Sequence, residues 1–341
     1  MQLMGKAGKI KTLFSSLKVE RLKPANYNVI HKNLFFDDDF TCNVQSVDVF
    51  ISENANILHD CIYVNSKILY GHSRRKILSS KEKLTNRIKL IVYKKKPVSE
   101  CFFPVQGKNY FHWLTETLPS VIAFRKEYKD MPIVMPAYYR NVSFIKEILT
   151  LLEISPTFYE AREILKIKKL WTMNLPVIQQ YNIPCLMQAR DHILSKIKAV
   201  DGGGRKIFVT RKKAKKRSIQ NEEQLISLLK NYDFETVCFE ELSFIEQVRL
   251  MRQTLVLIGP HGAGLTNMMF MPSGGTIIEL KALHNNYNCF YTLADACQHQ
   301  YNYLLCDHNN DNHRVADIHV DLIKLENLVK SSILAETLIE N

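Results

Sequence analysis

The sequence predicts an α/β protein whose second half is a compact Rossmann-like unit on a parallel sheet. Three observations predict it. Between residues 206 and 280, strand-like and helix-like runs alternate in the order β-α-β-α-β-α-β. The apolar run Thr254-Leu255-Val256-Leu257-Ile258 enters the loop Gly259-Pro260-His261-Gly262-Ala263-Gly264, and a helical apolar pattern leaves it. A stretch from 174 to 205, containing Pro176, Pro184 and Gly202-Gly203-Gly204, separates this half from an earlier one in which strands and helices also alternate. At 341 residues the chain has the length of two domains.

In chain order, residues 1–24 form a basic leader: Lys6, Lys9, Lys11, Lys18, Arg21 and Lys23 stand against Glu20 alone. Ile10, Leu13, Phe14 and Leu17 fall between them at helical spacing, the pattern of a helix lying on an anionic membrane surface. A frayed basic leader is the plainer alternative. The first domain is expected over 25–190, with strands at 46–51, 61–64, 67–70 and 88–93, a helix over 110–125, a strand at 131–135, a helix over 143–152 and strands at 158–159 and 167–173. A helix over 187–200 leads to the triple glycine. A strand follows the glycines, the wrong context for a dinucleotide fingerprint, so the run reads as a flexible connection. The second domain is expected over 191–310. Its strand 206–210 is followed by a helix capped by Asn221, with Gln224 three residues later. After a strand at 236–239, Ser243 and Glu246 make a second capping box. The strand at 254–258, the glycine loop, a short helix, the turn 272–275 and a strand at 276–280 complete the unit. Residues 311–341 read as a C-terminal helix.

Hydrophobic residues make up 46% and charged residues 23%, a globular composition. The net charge of +12 and pI of about 9.2 favour anionic partners: nucleotides, phosphorylated sugars, acidic lipids or nucleic acid. The eight cysteines show no Cys-x-x-Cys spacing, which argues against a zinc site, and a disulfide framework is not expected in so long a chain. No secretory signal and no run of membrane-spanning length is visible, and a cytoplasmic protein is expected, peripheral to the inner face of the membrane if the leader binds there.

Four groups of residues can carry chemistry. The glycine loop would point the backbone N–H groups of Gly262, Ala263 and Gly264 and a helix N-terminus at one spot, a phosphate cradle to which His261 adds a donor. An ordinary βα turn with a buried histidine is the alternative. In Asn109-Tyr110-Phe111-His112-Trp113-Leu114-Thr115-Glu116 a helix would put His112 and Glu116 one turn apart, a carboxylate orienting an imidazole as a general base requires. The aromatic neighbours could wall a sugar or simply pack. Arg211 opens the run Arg211-Lys212-Lys213-Ala214-Lys215-Lys216-Arg217 at the carboxyl end of a strand, where open α/β sheets bind ligands, and arginine grips phosphate oxygens in a fork. Glu279, near the end of the strand 276–280, is placed to accept two sugar hydroxyls. Asp37-Asp38-Asp39 invites a metal reading, but an acidic loop is the simpler account.

The segments Asn109–Pro119, Thr210–Arg217 with Asn221-Glu222, and His261-Gly262-Ala263-Gly264-Leu265-Thr266-Asn267 with Ile278-Glu279-Leu280 together resemble glycosyltransferase family 61 in order and spacing over roughly 100–282. The resemblance implies a GT-B enzyme with two Rossmann-like domains whose parallel sheets face across a cleft, the first on the acceptor side and the second holding the nucleotide sugar. It implies inverting transfer of a sugar from a nucleotide-sugar donor to a glycan or lipid-linked glycan, without a bound metal and without nucleic acid. Making a surface polysaccharide such as capsule or lipopolysaccharide fits a chain with no secretory signal. On this reading His112 or Glu116 is the base; Arg211, Arg217, His261, Gly262, Ala263, Gly264, Asn267 and Glu279 hold the donor; Asn109, Tyr110 and Trp113 face the acceptor. The family often has an aspartate where Glu116 stands, and this basic loop is richer in lysine. A basic nucleic-acid-binding module is the rival reading, with a dinucleotide-dependent oxidoreductase behind it.

Overall fold

The structure, a computed structural model, describes residues 7–28, 33–72, 78–104, 107, 109–174, 179–213, 217–310 and 316–337. The start of the basic leader (1–6), Pro176 in the expected linker, 214–216 of the basic loop and parts of the C-terminal region (311–315 and 338–341) lie outside the described residues. The chain forms two compact units, one of residues 1–18 and 43–196, the other of 19–42 and 197–341.

The strands up to residue 173 are β1 (Gly8–Phe14), β2 (Leu17–Glu20), β3 (Thr41–Val44), β4 (Val47–Leu58), β5 (Cys61–Val64), β6 (Lys67–Ile68), β7 (Lys94–Phe102), β8 (Val134–Pro136), β9 (Thr157–Tyr159) and β10 (Glu163–Met173). The main sheet of the first unit runs β6-β5-β4-β10-β7, with β1 also paired to β4. Only its β10–β7 ladder is parallel; β1, β5 and β10 all run antiparallel to β4. This corrects the expected parallel sheet in the first half. Two-residue connections, His59-Asp60 and Asn65-Ser66, join β4 to β5 and β5 to β6, and so short a link can join only antiparallel strands. His59, Asn65 and Ser66 accordingly take positive φ of 55°, 48° and 61°.

Two local expectations also change. The described part of the leader forms β1 and β2, neither a frayed end nor an amphipathic helix: Lys9 pairs with Asp48 at 2.9 Å and Thr12 donates to the same carboxylate at 2.7 Å, anchoring an edge strand. The expected strand at 88–93 lies mostly inside the helix Ser80–Val92, which starts at a capping box, Ser79 N–H donating to Glu82 at 2.7 Å and Glu82 N–H to Ser79 Oγ at 3.3 Å. The strand expected there is β7, which begins at Lys94; its lysines and Pro97 suit the sheet edge it occupies. Helices Leu118–Glu127 and Ile183–Lys196 pack on one another beside this sheet. The latter begins four residues before its expected start because Pro184 fits a first helical turn.

The second unit carries β11 (Arg205–Val209), β12 (Phe234–Val237), β13 (Thr254–Pro260), β14 (Thr276–Ala282), β15 (Gln300–His308) and β16 (Ile318–His319) in the order β12-β11-β13-β14-β15-β16. All ladders from β12 to β15 are parallel and β16 is antiparallel. The expected Rossmann-like half is therefore present in this unit. Its helices include Glu222–Lys230, Phe244–Met251, a 3-10 helix Ala263–Phe270, Cys289–Ala296 and Leu322–Thr337. The Ser243–Glu246 capping box forms as expected. Asn221 does not cap its helix; its side chain instead clamps both backbone groups of Val320, at 2.8 and 3.0 Å.

Residues 33–40 pack within this second unit. Phe35 meets Tyr291 edge-on at 5.5 Å, and Asn288 donates to Leu34 O and to the Asp39 carboxylate, both at 2.7 Å. Asp39 also accepts from Phe36 N–H at 2.8 Å, so this acidic run starts a helical turn. All eight cysteines are free thiols. Among the described residues no helix is long and apolar enough to cross a membrane.

Candidate functional site

In a doubly wound sheet the ligand crevice lies beyond the carboxyl ends of the strands where the chain reverses direction across the sheet. Here that point is between β11 and β13: the chain leaves β11 toward β12 on one side and returns to β13 on the other. The loops leaving these two strands are Thr210-Arg211 and His261-Gly262-Ala263-Gly264.

The two loops meet. The Arg211 guanidinium lies directly over Gly262, where a Cβ would overlap Nη1. Arg217, at φ 61°, turns back and donates from Nη1 to the His261 carbonyl at 2.9 Å. Burial lowers the pKa of both guanidiniums, and the like charge of Arg217 lowers that of Arg211 further. Glu240 opposes this at Arg211. Two half-buried guanidiniums thus converge on one loop, an arrangement that an anion would relieve. Leu265 N–H bonds to Gly262 O at 3.0 Å, the first bond of the 3-10 helix. Helix geometry leaves the N–H groups of Gly262, Ala263 and Gly264 ahead of that bond without intrahelical partners. Gly259 and Gly264 serve close packing: a Cβ on either would press on Val209 at 3.3 and 3.1 Å.

His261 is held by a buried network. Its Nδ1 meets the Glu279 carboxylate, whose second oxygen accepts from the Tyr301 hydroxyl. Glu279 has no exposed surface, so it cannot hold ribose or sugar hydroxyls as expected; it orients His261 and leaves Nε2 as the ring's remaining nitrogen. Burial disfavours the Glu279 charge, yet His261, Lys281 and Tyr301 outweigh that and keep its pKa below the ordinary value. Lys281 is itself buried, donating to Asn288 Oδ1 at 2.8 Å, and burial lowers its pKa. Sequence reasoning missed Tyr301 and Lys281. Lys281 carries a signal, a lysine within an apolar strand; Tyr301 carries none.

Asn267 is also corrected. It is fully buried and donates to Gln247 Oε1 at 2.9 Å, tying the 3-10 helix to Phe244–Met251 instead of reaching a ligand.

The first unit carries the other constellation. Asn109 caps the turn Tyr110–His112, its Oδ1 accepting from His112 N–H at 2.9 Å. Residues Trp113–Thr117 form one π-helical turn, with Leu118 N–H bonded to Trp113 O. Pro119 cannot donate to the Thr115 carbonyl, and the wider turn accommodates its ring. This geometry brings His112 Nδ1 to 2.7 Å from Glu116 Oε1. The His112 side chain is 33% exposed and that of Glu116 only 7%, so the imidazole is the member of the pair open to a reactant. A cavity of about 50 Å³ lies beside Glu116, lined also by Thr115, Ser120 and Asn182.

Gly107 underlies the turn, and sequence reasoning missed it. A Cβ there would stand 2.5 Å from the backbone of His112 and Trp113; its N–H donates to Thr117 Oγ1 and its carbonyl accepts from the Tyr139 hydroxyl, both at 2.7 Å. Trp113 is 1% exposed and packs edge-on against Phe144 at 6.1 Å, so it belongs to the core and does not face an acceptor. Tyr110 stays half-buried and Asn109 exposed. Among the described residues of the basic run, Arg211 and Arg217 turn to the glycine loop and Lys213 pairs with Glu241 at 2.6 Å.

Comparison with known proteins bears on the same residues. The family described as "Glycosyltransferase 61" matches residues 110–278. The chain is 38% identical over 86 residues, 24% of this chain and 16% of the relative, to the EGF domain-specific O-linked N-acetylglucosamine transferase of Drosophila melanogaster. It is 33% identical over 126 residues to that of Bos taurus, covering 34% of this chain and 23% of the relative. It is 32% identical over 97 residues to the protein O-linked-mannose beta-1,4-N-acetylglucosaminyltransferase 2 of Canis lupus familiaris, covering 27% and 17%. The chain thus spans less than a quarter of the length of these relatives.

Proposed function

With residues 110–278 matching glycosyltransferase family 61, we propose that this protein is a glycosyltransferase that moves a sugar from a nucleotide-sugar donor to a hydroxyl of a protein or a protein-linked glycan. The observation that carries this reading is the convergence of Arg211 and Arg217 on the Gly262–Gly264 loop at the switch point of a parallel sheet. That arrangement suits a diphosphate. The relatives named above transfer N-acetylglucosamine, which makes a nucleotide-linked N-acetylhexosamine the first donor to test, and they point to glycoproteins rather than to the surface polysaccharide that the resemblance first suggested.

The mechanism follows from charge. The acceptor oxygen attacks the anomeric carbon opposite the leaving group, inverting it. The bond from that carbon to the phosphate oxygen breaks, and its electron pair leaves with the nucleoside diphosphate. His112, oriented by Glu116, takes the acceptor proton through Nε2. Arg211, Arg217 and the loop N–H groups neutralise the departing diphosphate, the task a divalent metal performs in other transferases. The His261 ring, aimed by Glu279, brackets the phosphates.

A thermal-shift panel of nucleoside diphosphates and nucleotide sugars, run with and without a chelator, tests the reading. Ligand stabilisation scales with concentration over Kd. One nucleotide series should raise Tm in wild type, equally in chelator, and raise it much less in Arg211→Ala. No shift with any nucleotide, or an unchanged shift in Arg211→Ala, removes the phosphate site.

A further inference from the structure

The helix Ser80–Val92 turns an apolar stripe to solvent. Leu84, Ile88, Ile91 and Val92 are 62%, 54%, 79% and 66% exposed. At 100° per residue these four fall within one sector of about 100°. The opposite side faces its own unit: Asn86 is buried and donates to the Tyr63 hydroxyl at 2.8 Å, and Leu90 packs near Leu58 and Leu78. The stripe is therefore not the helix's core-facing side displaced; it is a second apolar face.

Its surroundings are basic. Lys81, Lys83 and Arg87 are exposed on the same helix, and Lys94 and Lys95 follow it on the edge strand β7. Glu82 is the only acidic residue of the helix and is engaged in the capping box. Lysine is depleted in the cores of protein–protein interfaces, and a second copy of the same face would bring like charges together. Aliphatic side chains flanked by lysine and arginine match instead the boundary of an anionic bilayer, where the stripe enters the acyl region and the cations stay with the headgroups.

We infer that the face formed by Leu84, Ile88, Ile91 and Val92 with Lys81 and Arg87 docks this protein on an anionic lipid surface. The docking is interfacial and reversible: a stripe spanning nine residues along the helix, a rise of roughly 12 Å, is far too short to span a membrane. It is independent of the transferase reading and of the leader at 1–24.

The test is co-sedimentation of the full chain with vesicles of phosphatidylcholine alone and of phosphatidylcholine mixed with phosphatidylserine. Wild type should pellet with the mixed vesicles, far less with the neutral ones, and less as salt rises. Leu84→Ser/Ile88→Ser/Ile91→Ser should lower the partition constant by about a thousandfold or more, the transfer cost of three exposed aliphatic side chains, while keeping the wild-type Tm. Lys81→Ala/Arg87→Ala should weaken the preference for phosphatidylserine. Absence of wild-type binding to mixed vesicles, or unchanged binding by the triple serine variant, overturns the proposal. So does light scattering that shows a wild-type dimer and a monomeric serine variant, which would assign the face to a second copy.

Discussion

The guanidinium of Arg211 occupies the space that a side chain at Gly262 would need. The glycine is required by close approach and not by backbone strain, because its φ of 179° is open to any residue. Gly262→Ala should therefore act on Arg211. We expect it to weaken nucleoside-diphosphate binding by roughly ten- to a hundredfold, the range of a charge-assisted hydrogen bond, and Arg211→Ala to do the same. Calorimetry of both variants and of the pair checks this. If they act through one contact, the double variant should bind no worse than either single one.

His112→Ala should lower kcat by between about a hundredfold and ten-thousandfold, with donor affinity intact. Glu116→Gln keeps the hydrogen-bonding shape without the charge and should cost less. Turnover and donor Kd, measured on the same preparations, separate the two effects. A His112→Ala enzyme that turns over at the wild-type rate rules out the imidazole as base.

Glu279 gives a prediction in pH. Its folded pKa is held below the ordinary carboxyl value of 4.5. The unfolded state therefore binds the proton more readily, and the stability from the ionised carboxylate is complete above that value and lost as pH falls through the folded pKa. Glu279→Gln should lower stability at neutral pH by about 1–3 kcal/mol and flatten the acid limb. Urea unfolding from neutral to acidic pH measures both, and parallel limbs for wild type and variant would remove this role for Glu279.

Gly107→Ala should destabilise the first unit, because the intruding methyl meets backbone on both neighbours, which cannot rotate away. The expected loss is about 3 kcal/mol or more. Because the clash is at His112 and Trp113, whatever folds should also lose turnover. Denaturant titration and a turnover assay at low temperature separate these outcomes.

Much of the second unit is legible in the chain. The strand, glycine loop and short helix around 254–270 are written in local pattern, as are the Ser243–Glu246 capping box and the ordered alternation of elements. The first unit is less so, since its antiparallel pairing depends on two-residue links whose flanking strands alternate weakly. The lysine-rich leader and the run at 88–93 form other elements than their periodicity suggests, because helical or strand periodicity marks an apolar face without saying whether a partner covers it. Ile88 and Ile91 remain in solvent, and Ile10 sits on an edge strand.

The candidate site divides the same way. Residue types and spacing put Arg211 and the glycines at one sheet edge and placed His112 one turn from Glu116. They could not separate Glu279 and Asn267, which are buried and serve neighbouring side chains, from Arg211 and His261, which reach the loop surface. Nor could they show that Trp113 packs inward while His112, beside it, points out. Local sequence sets which backbone conformations and short-range pairs are favourable. Which polar side chain ends in solvent and which in the core is decided by the packing of distant strands and helices, because desolvation depends on everything that surrounds a group and not on its neighbours in the chain.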